Sequence, residues 1–103
     1  MEIVVASFES ELRPEDVERT MRERAPRFRE VDGLVQKYFF HDEERDRYGA
    51  VFLFESAAAR DAYLESDLRA GVGEAYAITG TPESFAATLL FPLREAAGLP
   101  EAV

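Results

Sequence analysis

The sequence has no cysteine and no tryptophan, and it contains a single lysine, Lys37, and a single histidine, His41. Without cysteine the chain forms no disulfide and has no thiolate chemistry, which fits a cytoplasmic protein. No apolar run approaches the ~20 residues that a membrane helix needs, and the first residues lack the basic and apolar pattern of a signal peptide. We therefore expect a cytoplasmic protein that has no membrane partner.

Basic residues are scarce relative to acidic ones, since 12 Lys and Arg face 21 Asp and Glu and leave a net charge of −9. This charge repels nucleic acid phosphates, and no basic stripe with interleaved aromatics offsets it. The chain has no glycine-rich phosphate loop, no nucleophile elbow and no Cys/His metal cluster. The charged run from Asp42 to Arg47 lacks the glycine and the terminal glutamate of a calcium loop, so we interpret it as a solvated hairpin. We expect neither a nucleic acid partner nor a metal.

What is abundant is apolar and aromatic side chains, with 47% hydrophobic residues, eight Phe and four Tyr. This composition and a length of 103 residues predict one packed domain over residues 1–103. Pro26 removes a helix hydrogen bond, so we expect a kink or an end of the first helix near Ala25. The predicted segments are strands at 3–8, 34–41, 48–54 and 85–91, a helix from Pro14, a helix capped by Ser56, a short irregular helix within 67–80, and a loose tail at 94–103.

The order of these segments is β-α-β-β-α-β. With right-handed crossovers it predicts an α+β, ferredoxin-like sandwich in which an antiparallel sheet carries both helices on one face. Strand side chains alternate between the two faces of a sheet, yet both faces of the first, third and last strands are apolar. The face without helices would expose a large apolar patch, so we expect a homodimer packed sheet against sheet. A bound lipid or a different partner protein is the alternative.

Two stretches carry a family resemblance. Residues 33–40 read Gly-Leu-x-x-Lys followed by three aromatics, and residues 48–56 read Tyr-Gly-Ala-Val-Phe-Leu-Phe-Glu-Ser, followed by Ala62-Tyr63-Leu64. With the charged hairpin between them, these stretches resemble the small monooxygenases of the dimeric α+β barrel superfamily, which are similar to the antibiotic biosynthesis monooxygenases. The resemblance covers about residues 2–93, and its motif is mostly architectural.

The resemblance implies a pocket in each subunit between the helices and the sheet. It also implies a small aromatic or polyketide-like ligand, oxygenated without metal, flavin or haem: the deprotonated substrate itself reduces oxygen, and the protein supplies a dry cavity, orientation and a proton acceptor. We accordingly expect no cofactor. Other branches of the superfamily bind haem, degrade chlorite, or sense or bind small molecules. A non-catalytic ligand-binding or stress-related dimer is therefore the rival hypothesis, and a purely structural dimer is the third.

His41 is the candidate general base, because its side chain is the only one with an ordinary pKa near neutrality. A solvated histidine at the end of a strand is the plainer interpretation, and a haem ligand is a further one. Lys37 is interpreted as pairing with a carboxylate across the dimer, with an anionic substrate as the alternative. Tyr38, Tyr63 and Tyr76 are candidate hydrogen-bond donors to a substrate oxygen, although each also suits a core or interface.

The predicted ligand-binding wall is aromatic. If even-numbered strand residues face the helices, seven rings converge there: Phe28, Tyr38, Phe40, Phe52, Phe54, Tyr63 and Tyr76. The glycine-rich residues 67–80 then leave a cleft beneath them, with Tyr76 as a lid that Gly71, Gly73 and Gly80 allow to move. If odd-numbered residues face the helices, the strand aromatics belong to the dimer interface instead. A filled core without a cleft is the plain structural alternative.

Overall fold

The computed structural model describes residues 1–94. Its strands are β1 (Glu2–Ser10), β2 (Leu34–Asp42), β3 (Arg47–Phe54) and β4 (Ile78–Thr88). Its helices are α1 (Pro14–Arg29), α2 (Ala57–Leu64) and two single turns, α3 (Asp67–Ala70) and α4 (Val72–Ala75). Within this part of the chain, no helix combines the length and the apolarity needed to cross a membrane.

The four strands form one sheet in the order β2-β3-β1-β4, and every neighbouring pair is antiparallel. This is the ferredoxin-like α+β sandwich predicted from the order of the elements. The two central strands, β1 and β3, direct their even-numbered residues to the helices. Val4 of β1 and Phe52 of β3 lie opposite each other on that face, and both are buried.

Local signals set the ends of the helices. Pro14 occupies the first turn of α1, where a missing N–H costs nothing, and acidic Glu15 and Asp16 follow it at the positive end. Ser56 caps α2, because its hydroxyl accepts a hydrogen bond from the Ala59 N–H at 3.1 Å. The sequence predicted both starts.

The expectation that the first helix ends near Ala25 is wrong. Helix α1 continues through Pro26 to Arg29, one turn beyond the predicted end at Ala25. The extra turn carries Phe28, which is buried against Phe52 and Tyr63 with ring centres 6.3 and 6.0 Å away. Burying a phenylalanine contributes roughly 1.5–3 kcal/mol, a size comparable to the ~3 kcal/mol cost of an interior proline.

The predicted bounds of the last strand are also wrong. Strand β4 begins at Ile78 and ends at Thr88, whereas residues 85–91 were expected. It contains Pro82, which an edge strand tolerates because its outer N–H groups have no strand to pair with. The tail predicted for residues 94–103 lies, except for the exposed Arg94, outside the described residues.

A bulge near the start of β2 decides which of its side chains reach the helices. Leu34 lies opposite Phe54, but Lys37 lies opposite Phe52, so β2 contains one more residue than β3 over this stretch. The irregularity falls between Leu34 and Gln36. Beyond it the odd-numbered residues of β2 share a face with the even-numbered residues of β3, because directly opposite residues point the same way.

The helix-covered face holds two apolar clusters. Toward one end, the buried members are Val4, Phe28, Ala50, Phe52, Phe54 and Tyr63. Toward the other end, they are Phe8, Val17, Met21, Tyr48 and Tyr76. Single-turn helices α3 and α4 cross the sheet where the clusters meet, and helices of four residues cannot fill that space with side chains from several turns.

Candidate functional site

A cavity of about 490 Å³ opens between the sheet, α1, α2 and the α3–α4 segment. Its position beneath residues 67–80 is that of the predicted cleft, and a filled core is excluded. Six rings contribute to its wall: Phe8, Phe28, Phe39, Phe52, Tyr63 and Tyr76. A volume of this size, mostly apolar with a few polar groups, is typical of a site for a small organic molecule.

Arg69 and Lys37 are the basic residues in the cavity wall, and Lys37 is the one that lies against several rings. Its Nζ lies 3.2 Å from the ring centre of Phe28, 4.4 Å from that of Phe39 and 4.7 Å from that of Phe52. Burial and, to a smaller extent, the nearby Arg24 guanidinium together lower the pKa of Lys37 from 10.5 to about 7. At neutral pH the amine is therefore present in both protonated and neutral forms.

Arg24 of α1 stands behind the wall. Its Nη2 donates a hydrogen bond to the Leu68 carbonyl at 2.9 Å, and its guanidinium lies 5.9 Å from the Phe28 ring and 5.8 Å from the Tyr76 ring. Within residues 1–94 the buried Nε–H has no hydrogen-bond partner. Within the described residues, this guanidinium is therefore held by two rings and a single carbonyl.

Two phenols complete the polar part of the cavity. Tyr63 and Tyr76 are both buried. Burial raises the pKa of Tyr63 to about 12 and also raises the pKa of Tyr76. Both therefore remain protonated near neutral pH, and a hydroxyl in this state can donate a hydrogen bond to a ligand oxygen.

Glu83 is the only carboxylate among the described residues that line the cavity. Arg45 donates two hydrogen bonds to it, at 3.0 and 3.1 Å. These hydrogen bonds and the charge of Arg45 lower the pKa of Glu83. The carboxylate is thus already paired at the rim, and it does not compensate the charge of Lys37.

The structure brings together four of the seven aromatics predicted to bind a ligand. Phe28, Phe52, Tyr63 and Tyr76 line the cavity, whereas Phe54 does not. Phe54 lies in the core with no exposed surface, stacked 6.0 Å from Phe52. Phe54 follows Phe52 on the same face of β3 and lies under α2, where it is fully buried.

The expected convergence of Tyr38 and Phe40 with these rings is wrong. Tyr38 lies opposite Val51 and Phe40 lies opposite Gly49, on the face of the sheet without helices. The parity predicted from the sequence holds for β3, but the bulge reverses it in β2. In their place Lys37 and Phe39 point into the cavity.

His41, the predicted general base, lies away from the cavity. Its ring stacks on Tyr48 with centres 4.2 Å apart, and its Nε2 lies 3.2 Å from Asp46 Oδ1 in the hairpin. It lines a separate open groove between α1 and β2, together with acidic Glu15 and Glu18. The role of His41 as a general base stays a prediction, and it now concerns this groove rather than the cavity.

The sequence-based assignment lacks two rings of the cavity wall, Phe8 and Phe39. It also lacks Arg24, which lies next to Phe28 and Tyr76 without lining the cavity. Phe8 could have been found, because it shares the parity of Val4 along β1. Phe39 could not, since no residue pattern in β2 announces the bulge. Among residues 1–94, no group of three His, Asp or Glu side chains is arranged to hold a metal ion.

The order of the strands and the two helices on one face define an α+β, ferredoxin-like fold, which solved antibiotic biosynthesis monooxygenases share. The chain belongs to the family described as "Putative mono-oxygenase ydhR", whose model matches residues 3–81. The family match spans β1 to the start of β4. It includes all the residues that line the cavity except Pro82, Glu83 and Ser84 of β4.

Solved structures show the same fold at low sequence identity. SnoaB from Streptomyces nogalater, described as a cofactor-independent oxygenase, is 20% identical with a TM-score of 0.73, over 91% of this chain and 97% of that one. An antibiotic biosynthesis monooxygenase candidate from Deinococcus radiodurans is 12% identical with a TM-score of 0.71 over the same shares. NE2512 from Nitrosomonas europaea, of unknown function, is 16% identical with a TM-score of 0.70, over 92% and 94%. Comparison with curated proteins gives no significant match.

Proposed function

We propose that this protein binds a small aromatic or polyketide-like molecule in the cavity and oxygenates it without metal, flavin or haem. The observation that carries the proposal is the cavity of about 490 Å³ walled by six aromatic rings, with one lysine and two phenols at its surface. Flat rings suit a flat, apolar ligand, and the few polar groups fix its orientation. Membership of a monooxygenase family and the likeness to SnoaB support the choice of reaction.

The chemistry needs no external reductant. A phenol or enol that has lost its proton is electron-rich and reduces oxygen directly; one oxygen atom enters the substrate at a CH₂ carbon that becomes C=O, and the other leaves as water. Substrate plus O₂ thus gives ketone plus water. The protein contributes a site that excludes water and holds the reacting carbon near oxygen, and it accepts the first proton.

The proposal includes a homodimer. The face of the sheet without helices carries an apolar row, of which Phe85 is 61% exposed and Tyr38 is 42% exposed. Val5 lies opposite both Val51 and Phe85, so the row runs across three strands. Covering such side chains contributes roughly 1.5–3 kcal/mol each. A second copy presents the same row about a two-fold axis, and a cytoplasmic location fits the cysteine-free sequence.

Oxygen uptake with a hydroxyanthrone as the probe tests the reaction. We expect uptake to exceed the rate without protein, and the product to gain one oxygen and lose two hydrogens; with ¹⁸O₂, one labelled atom enters the product. The variant Ala70→Trp tests the site, because Ala70 lines the cavity from an exposed position. Ala58→Trp on the outside of α2 is the matched control.

We expect Ala70→Trp to lose most of the uptake while its melting temperature stays close to that of Ala58→Trp. If the hydroxyanthrone binds but uptake equals the rate without protein, the oxygenase is wrong and a non-catalytic ligand-binding module takes its place. If Ala70→Trp and Ala58→Trp behave alike in uptake, the reaction does not occur in this cavity.

A further inference from the structure

We infer that the cavity takes an acidic phenol or enol and binds it as its anion, with the Lys37 amine receiving the ligand's proton and the resulting ammonium holding the charge. The inference rests on the proposed function, since it names the substrate class and the proton acceptor of the same cavity. It moves the role of base from His41 to Lys37. It also explains why the only lysine of the chain is partly buried against aromatic rings rather than fully exposed.

The pairing of β2 with β3 determines where the Lys37 side chain lies. Opposite Phe52 in the register of β2 and β3, its side chain is directed under α1, where the Phe28 ring lies 3.2 Å from Nζ. No carboxylate within residues 1–94 approaches Nζ to 4 Å, although the chain has 21 Asp and Glu. A lysine used only for structure would be expected to pair with one of them, because an unpaired buried charge is costly.

The other polar groups around the cavity come from every element packed on it. Helix α1 supplies Arg24, α2 supplies Tyr63 and α3 supplies Arg69, while Tyr76 follows α4 and Glu83 belongs to β4. Glu83 is held by Arg45, and the phenols stay neutral because burial raises the pKa of each. The remaining charges are cationic. Inside a protein of net charge −9, this cavity is therefore a site for an anion.

The proton transfer balances within the site. A neutral amine takes the proton of a neutral phenol or enol, and an ammonium paired with a phenolate or enolate remains. Burial of Lys37 lowers its pKa to about 7, so the neutral amine is available at physiological pH. The rings of Phe28, Phe39 and Phe52 then hold the ammonium from their faces. Tyr63 and Tyr76 line the same cavity, and a protonated phenol can donate a hydrogen bond to an anion.

4-Nitrophenol tests the inference, because its anion is yellow and its neutral form is not. The protein is mixed with it under nitrogen, at a pH where the free phenol is mostly neutral. We expect the wild type to bind the yellow anion and to lower the pKa of the bound phenol by about 1–3. His41→Ala should behave like the wild type, whereas Lys37→Met should bind the neutral form and lose this shift.

Lys37→Arg separates the proton acceptor from a mere counter-ion. Arginine keeps the charge but holds its proton, so every neutral phenol that Lys37→Arg binds as its anion gives its proton to solvent. The wild type, with Lys37 partly neutral at pH 7, should release clearly fewer protons per ligand, as counted by calorimetry in buffers of different ionisation enthalpy. Equal proton release in the two proteins, or a yellow complex in Lys37→Met, overturns the inference.

The failure of the inference and the failure of the oxygenase are distinguishable because binding is measured without oxygen. An anion whose formation depends on Lys37, together with no oxygen uptake from the hydroxyanthrone, leaves the inference standing and removes the oxygenase. Uptake that persists while the bound phenol stays neutral removes the inference and leaves the oxygenase. Thermal melts of Lys37→Met and Lys37→Arg ensure that both variants are compared as folded proteins.

Discussion

Lys37 makes the free energy of unfolding depend on pH. Its pKa is lowered from 10.5 to about 7 by burial and by Arg24, so between these values the unfolded chain binds more protons than the folded one. The free energy of unfolding therefore rises with pH across this window. Below about pH 7 both states are protonated, and the folded state bears the full cost of the desolvated ammonium.

Lys37→Met should accordingly stabilise the protein most at low pH. We expect a gain of about 1–3 kcal/mol at pH 6, which shrinks toward zero as the pH approaches 10, because an apolar side chain replaces a desolvated charge. Urea unfolding at a series of pH values measures it. Arg27→Met on the exposed face of α1 is the control, and a gain from Lys37→Met that does not change with pH would contradict the pKa.

Gly49 lies at a position where no side chain fits. A Cβ at this position would lie 2.0 Å from the Ala6 carbonyl oxygen and 2.8 Å from the Phe40 ring. Gly49→Ala should therefore lower the free energy of unfolding by about 1–3 kcal/mol. Gly73→Ala is the matched control, since nothing lies within 4 Å of its Cβ and α4 gains helix propensity. Equal stability of the two variants in urea would contradict the steric argument.

At the scale of elements, α1 continues through Pro26, although proline disfavours the interior of a helix. Pro26 is exposed, so its ring contributes little packing, and it removes the hydrogen bond that an N–H at this position would donate toward Arg22. The helix is stabilised past this point by burial of Phe28 rather than by its own backbone.

Pro26→Ala should therefore stabilise the protein, by about 1–3 kcal/mol in chemical unfolding. Pro14→Ala, at the first turn of the same helix, restores no interior hydrogen bond and should change stability by less than about 1 kcal/mol. The comparison separates the effect of a proline inside the helix from the effect of replacing any proline of this helix. A stabilisation by Pro14→Ala as large as that by Pro26→Ala would show that α1 bears no cost from Pro26.

The elements differ in how far the sequence specified them. The Ser56 cap, the charged hairpin and the strand order follow from local patterns, and all were predicted. The prediction ended α1 too early, because helix propensity depends on neighbouring residues, whereas Phe28 is stabilised by packing against distant ones. The cavity was predicted in the right place with partly wrong members, because the bulge after Leu34 depends on the pairing of two strands and leaves no pattern in one of them.

At the scale of the whole molecule, one face of the sheet lacks a cover. Sedimentation equilibrium at micromolar concentration should give about twice the 11.6 kDa chain mass. Phe85→Glu should shift it to the monomer without unfolding, because this side chain is already 61% exposed in one chain and its burial requires a partner. Ala58→Glu on the opposite side of the molecule is the control and should sediment as the wild type. A wild-type monomer would contradict the proposed homodimer.

The bulge in β2 also affects how relatives of this chain can be compared. One homologue can have one residue more than another between Gly33 and Lys37. If their sequences are then aligned without a gap, residues that point to opposite faces of the sheet are placed in the same column. A conserved position in such an alignment then stands for a cavity residue in one protein and for a residue on the helix-free face of the sheet in the other. Substrate preferences should be transferred between members of this family only after the register of this strand pair has been checked in each.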